Sequence, residues 1–114
     1  MIIIEKEIHR YQMSDGRSPY LEWFESLKDE TIRNRIRERL ARARLGNLGD
    51  AESVGQGVFE FRFHFGPGYR VYFGLEGRVI VLLLCGGDKK TQKADVQKAL
   101  EYWADYRRRT HESK

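Results

Sequence analysis

The stretch that most constrains this chain is residues 59–73, FEFRFHFGPGYRVYF. Phe59, Phe61, Phe63 and Phe65 alternate with Glu60, Arg62 and His64, and after a glycine–proline turn Tyr69, Val71 and Phe73 alternate with Arg70 and Tyr72. A period of two puts odd-numbered residues on one face of a β-hairpin and even-numbered residues on the other. Antiparallel partners have numbers that add to a constant, and here it must be even, or one strand would turn its apolar set outward. A three-residue loop, Gly66-Pro67-Gly68, satisfies that rule and predicts Phe65 opposite Tyr69, His64 opposite Arg70 and Arg62 opposite Tyr72. Cross-strand Cβ atoms are ~5 Å apart, so Glu60, Arg62, His64, Arg70 and Tyr72 are expected to form one patch.

The flanking segments supply a frame. Residues 1–12 are rich in β-branched side chains and read as a first strand. Ser18 followed by Pro19 signals a helix start, because proline lacks the N–H that would be orphaned there. Tyr20, Leu21, Phe24 and Leu27 form the inner face of this first helix, with Trp23 at its edge. Asp29 caps a second helix whose stripe is Ile32, Ile36, Leu40 and Ala43, and Gly46 stops it. Residues 46–57 read as a glycine-rich connector. The run 77–87, GRVIVLLLCGG, reads as a central strand buried on both faces. A last helix offers Val96, Ala99, Leu100, Trp103 and Tyr106 inward, and a polar tail from about 107 to 114 is expected to fray. The expected fold is α+β: a small antiparallel sheet in β-α-α-β-β-β-α order, one domain over 1–114. Helices packed on one side of the sheet would leave the even-numbered hairpin face open.

Composition excludes several classes. The 114 residues are 40% hydrophobic and 33% charged, which favours folding over disorder. One cysteine, Cys85, rules out an internal disulfide framework and lies in an apolar run, as expected of a buried inert thiol. His9, His64 and His111 are scattered and give no zinc spacing. No apolar run approaches a membrane span and no signal peptide is apparent, so a soluble, cytoplasmic protein is expected, without cofactor or metal. The net charge of +4 equals the surplus of residues 28–45, where seven basic residues meet three acidic ones. That helix, with Arg37 and Arg44 among its cations, is either a solvated face or a contact for nucleic acid or an acidic partner.

Two guanidiniums close together make sense around a carboxylate or phosphate. Arginine suits bidentate phosphate binding, and a tyrosine ring can stack a base. The following GGDKKTQ (86–92) adds Lys89 and Lys90 beside a helix start, where anions are favoured. RNA cleavage needs little more, since the 2′-hydroxyl is a built-in nucleophile. Glu60 or His64 could move the protons, Arg62, Arg70 and a lysine could stabilise the phosphorane, and Tyr72 could orient a base.

From about Arg17 to Arg108, and most specifically in residues 60–73 and 83–92, the chain resembles the addiction-module killer proteins. These form the HigB-like branch of the RelE/ParE toxin superfamily. The resemblance implies a RelE-like fold and a toxin neutralised by a cognate antitoxin, a helix-turn-helix protein, in a hetero-oligomer or beside a homodimer. It implies an endoribonuclease acting on mRNA at the ribosome, or a ParE-like inhibitor of DNA gyrase; a non-toxic RNA-binding phage-derived module is a third reading. By motif position it implies activity at Arg62, Arg70, Tyr72 and Lys89 or Lys90.

Overall fold

The computed structural model describes residues 4–112. Its α+β order is β1 (Glu7–Arg10), α1 (Pro19–Ser26), α2 (Glu30–Arg44), β2 (Ala51–Gly55), β3 (Val58–Arg62), β4 (Arg70–Glu76), β5 (Ile80–Gly87) and α3 (Gln92–Glu112). The sheet runs β1-β5-β4-β3-β2. Strands β2 to β5 form an antiparallel meander, while β1 pairs parallel with β5, so the sheet is mixed rather than wholly antiparallel.

The local signals act as expected at the helix starts. Ser18 Oγ accepts from Leu21 N–H at 3.2 Å, and Asp29 Oδ1 accepts from Thr31 N–H at 2.9 Å. Each satisfies a donor the first turn would leave orphaned. Gly46 follows α2 with φ of 99°, a conformation glycine adopts without a steric cost.

Two apolar layers sandwich the sheet. Odd-numbered hairpin residues Phe61, Phe63, Val71 and Phe73 pack with Tyr20 of α1 and Ile36 and Ala43 of α2. Val58, Tyr72, Leu82 and Leu84 pack with Ala99 and Trp103 of α3. β5 is buried on both faces, although β4 holds the middle place. A bulge between Tyr72 and Phe73 in the β4–β5 register lets Leu83 serve the first layer and Leu84 and Cys85 the second. Three side chains lie directly on glycine backbone: a Cβ at Gly74 would enter the Trp103 ring, one at Gly86 the Trp23 ring, and one at Gly87 the Asp95 carboxylate.

Four expectations need correction. The connector contains a strand, β2, paired with β3. Its glycines hide it: Gly55 and Gly57 flank a tight turn with Gln56 at φ 52°, and pairing with β3 overrides the weak local preference. The hairpin parity holds, but the register does not. Arg62 faces Arg70 and Glu60 faces Tyr72, two residues away from the expected constant. The loop is longer because Phe63 N–H already bonds Tyr69 O and Gly68 N–H bonds Phe65 O. The even-numbered face is not left open: α3 packs against β3, β4 and β5, because its own apolar stripe needs a partner and α1 and α2 already fill the other side. Finally, the polar tail is helical as far as Glu112 rather than frayed from 107, and Arg109 donates to Gln12 O at 2.6 Å.

Candidate functional site

The even-numbered hairpin residues lie in two rows that run on into β2 and β5. One row is Glu52, Glu60, Tyr72 and Cys85; the next is Arg62, Arg70 and Gly87. Arg62 Nε donates to Glu60 Oε1 at 3.1 Å, and its Nη1 lies 2.9 Å from Glu52 Oε1. Arg70 Nε stands 3.8 Å from Glu60 Oε2. Gln92, the first residue of α3, donates to both Glu60 oxygens, at 3.4 and 3.2 Å. Glu52 comes from the strand the sequence reading missed. Two carboxylates therefore face two guanidiniums, so the cationic excess expected of this patch is offset internally.

Burial divides the set. Tyr72 is 0% exposed, Glu60 2% and the Arg70 side chain 9%. Neither ring face of Tyr72 is open to a base, contrary to the role expected for it. Burial, with the Glu60 charge adding to it, pushes the Tyr72 hydroxyl above the ordinary tyrosine range. That hydroxyl and Arg70 Nε have no hydrogen-bond partner among the described residues. Glu60 is equally sealed, while its partner Arg62 has a side chain 30% exposed.

His64 leaves this patch. It lies beyond the end of β3 and is 74% exposed, with Nε2 2.5 Å from Asp50 Oδ2 just before β2. The bond from His64 holds the Asp50 carboxyl below its usual range. Asp50 precedes a strand invisible in the sequence, so nothing there could have paired it with His64.

Lys89 and Lys90 are exposed at the same end of the sheet. Lys89 N–H donates to Pro67 O at 3.3 Å, which ties the β5–α3 loop to the hairpin tip. The loop is closed by Asp88, whose Oδ1 accepts from the N–H groups of Lys90 and Thr91 at 2.9 and 3.1 Å. Cys85 is buried under α3, and burial, with Asp95 adding, raises its thiol to about 12. It is inert as a nucleophile at neutral pH.

Arg37 and Arg44 lie on α2, which packs on the opposite face from α3. Arg37 is tied to Glu30 and Asn34 and sits over the Phe24 ring, away from the hairpin cations. Arg35, Arg39 and Arg42 instead line a groove of ≈ 410 Å³ with Arg62 and His64. Arg39 was not singled out from the sequence. It is buried and donates to the carbonyls of Arg62, Leu48 and Asp50 at 3.1, 3.2 and 2.6 Å. This guanidinium fastens α2 to the start of β2 and the end of β3, and burial lowers its proton affinity. No helix among the described residues is long and apolar enough to cross a membrane.

An uncharacterised protein of Haemophilus influenzae (strain ATCC 51907 / DSM 11121 / KW20 / Rd) is 46% identical over 77 residues, covering 68% of this chain and 78% of the relative. The family described as phage-derived protein Gp49-like (DUF891) matches residues 22–101, a span that includes α2, the hairpin and the start of α3. With these two matches and the fold above, the chain belongs to the Gp49-like family of phage-derived proteins.

Proposed function

We propose that this chain is the toxin of a type II toxin–antitoxin pair, similar to the HigB-like branch of the RelE/ParE superfamily, and that it cleaves mRNA at the ribosome without a metal. One observation carries the reading. Arg62, partly exposed and seated on a buried carboxylate, stands at the end of the sheet where His64, Lys89 and Lys90 also reach solvent. Its outer partner, Glu52, is exposed, and such a pair contributes at most ~1 kcal/mol. A phosphate can therefore take the place of Glu52 while Glu60 keeps the guanidinium aimed. His64 moves protons at the 2′-hydroxyl or the leaving 5′-oxygen. Arg62 and the lysines offset the charge that builds on phosphorus. Glu60, Arg70 and Tyr72 support Arg62 from beneath. A ribosomal target places the protein in the cytoplasm, and its neutralising partner would be a helix-turn-helix antitoxin from a neighbouring gene.

The burial of Glu60, Arg70 and Tyr72 favours a second reading. A ParE-like inhibitor of DNA gyrase needs a binding surface and no exposed acid–base pair. Inducing the chain and its Arg62→Ala variant in cells, with a gyrase supercoiling assay on the purified protein, separates the two. The RNA reading expects growth arrest that Arg62→Ala abolishes and unaltered supercoiling. Inhibited supercoiling, or full toxicity in Arg62→Ala, overturns it.

A further inference from the structure

The groove between α2 and the end of β3 carries charge that the fold does not neutralise. Arg35, Arg39 and Arg42 line it with one carboxylate, Glu38. Among the described residues no ion pair ties down Arg35 or Arg42. Two other arginines on α2 differ: Arg33 and Arg37 are both paired with Glu30. Arg39 forms the floor, buried, with three backbone carbonyls as acceptors and Nε unpartnered. Among the described residues no ion pair joins a carboxylate to it, although the Asp50 charge acts on it. Arg35 and Arg42 are seven residues apart, two turns or about 10 Å along the same face of the helix.

The walls are aromatic as well as cationic. The Arg35 guanidinium lies 4.7 Å over the Phe65 ring, and Phe63 lines the groove beneath Arg39. A guanidinium seated over a ring is a platform that can bind a phosphate through its N–H groups beside an aromatic face that can meet a base. An acidic peptide would use the charge but not the aromatic walls. The groove also opens onto His64 and Arg62, so a strand lying in it continues to the end of the sheet.

We infer that this groove is a binding track for single-stranded RNA, in which Arg35 and Arg42 hold backbone phosphates and the Arg35–Phe65 pair supports a base. The inference rests on the RNA-acting reading above and names where the chain outside the scissile phosphate is held. Arg62 and His64 then mark where the track meets the reacting group, and Asp50 and Glu38 are the carboxylates that flank it.

The test is fluorescence anisotropy with a labelled 2′-O-methyl RNA oligonucleotide, which binds but cannot be cleaved, across a salt series. Arg35→Gln and Arg42→Gln change exposed side chains, and circular dichroism confirms that the fold is kept. Each variant is expected to weaken binding several-fold and to reduce the salt slope by ~0.7, the value for one phosphate contact on a single strand. Arg37→Gln and Arg44→Gln, outside the groove, are expected to bind as the parent does. Oligonucleotide binding that ignores Arg35 and Arg42 overturns the track while leaving the RNA-acting reading standing. Absence of any binding by the parent chain overturns the track, and the growth-arrest assay decides the RNA-acting reading separately. Polyglutamate that binds with the same dependence on Arg35 and Arg42, where the oligonucleotide does not, assigns the groove to an acidic protein and overturns the inference.

Discussion

Replacing Glu60 by glutamine keeps the shape of the side chain and removes one charge. Among the described residues Arg70 then loses its one ion-pair partner while remaining 9% exposed. At the observed 3.8 Å separation, and an effective dielectric of about 20, the lost attraction is ~4 kcal/mol. Breaking a buried pair by removing one partner costs about 3–5 kcal/mol in general, because the other charge stays desolvated. Both figures are large beside a domain stability of roughly 5–15 kcal/mol. Arg62 suffers less, since it retains Glu52 at 2.9 Å and partial hydration. Urea unfolding followed by circular dichroism is expected to show Glu60→Gln losing ~3–5 kcal/mol at unchanged m-value. The double variant Glu60→Leu with Arg70→Met is expected to recover most of that loss, since apolar replacement of a buried pair is often neutral. The reasoning is refuted if each single substitution costs under ~1 kcal/mol and the double variant is simply their sum.

Other tests follow from neighbouring features. Gly74→Ala places a methyl group in the Trp103 ring and is expected to cost ~1–3 kcal/mol, a drop in Tm of several degrees; an unchanged melting curve contradicts the packing. Arg39→Met strips hydrogen bonds from three carbonyls and is expected to destabilise the chain by ~2–4 kcal/mol, with faster hydrogen exchange at the start of β2. Burial raises the Tyr20 hydroxyl, and burial with the Asp105 bond raises that of Tyr11, each to about 12. The folded state thus holds these protons longer than the unfolded chain, whose tyrosines release near 10. The stabilisation is whole below pH 10 and is lost as pH rises toward 12. An absorbance titration at alkaline pH is expected to show tyrosines resisting ionisation until the protein unfolds; all six titrating near 10 with the fold intact contradicts it.

The sequence made the alternation legible because period two is a property of neighbouring residues. The same holds for the Ser18 and Asp29 caps and for the Ile32–Ile36–Leu40–Ala43 stripe, all of which depend on a few adjacent positions. What stayed hidden depends on distant partners. The constant pairing Arg62 with Arg70 is set by hydrogen bonds closing the 63–69 loop, and parity alone allows several values. β2 exists because β3 offers it an edge, and its AESVG sequence carries little strand signal. With β2 missed, Glu52 and Asp50 were missed too, and with them the partners of Arg62 and His64. The buried side of the patch was likewise unreadable, because α3 could have packed elsewhere. Arg39 looked like one arginine among many on a charged helix, although its position three residues after Ile36 places it near the core stripe.

The most direct measurement maps the 5′ ends of cellular transcripts after brief induction of the parent chain and of Arg62→Ala. The parent is expected to generate new 5′-hydroxyl ends within coding regions, and Arg62→Ala none. Growth arrest by the parent with transcripts intact, or the same cut sites in both, contradicts the claim that an arginine at this end of the sheet acts on RNA.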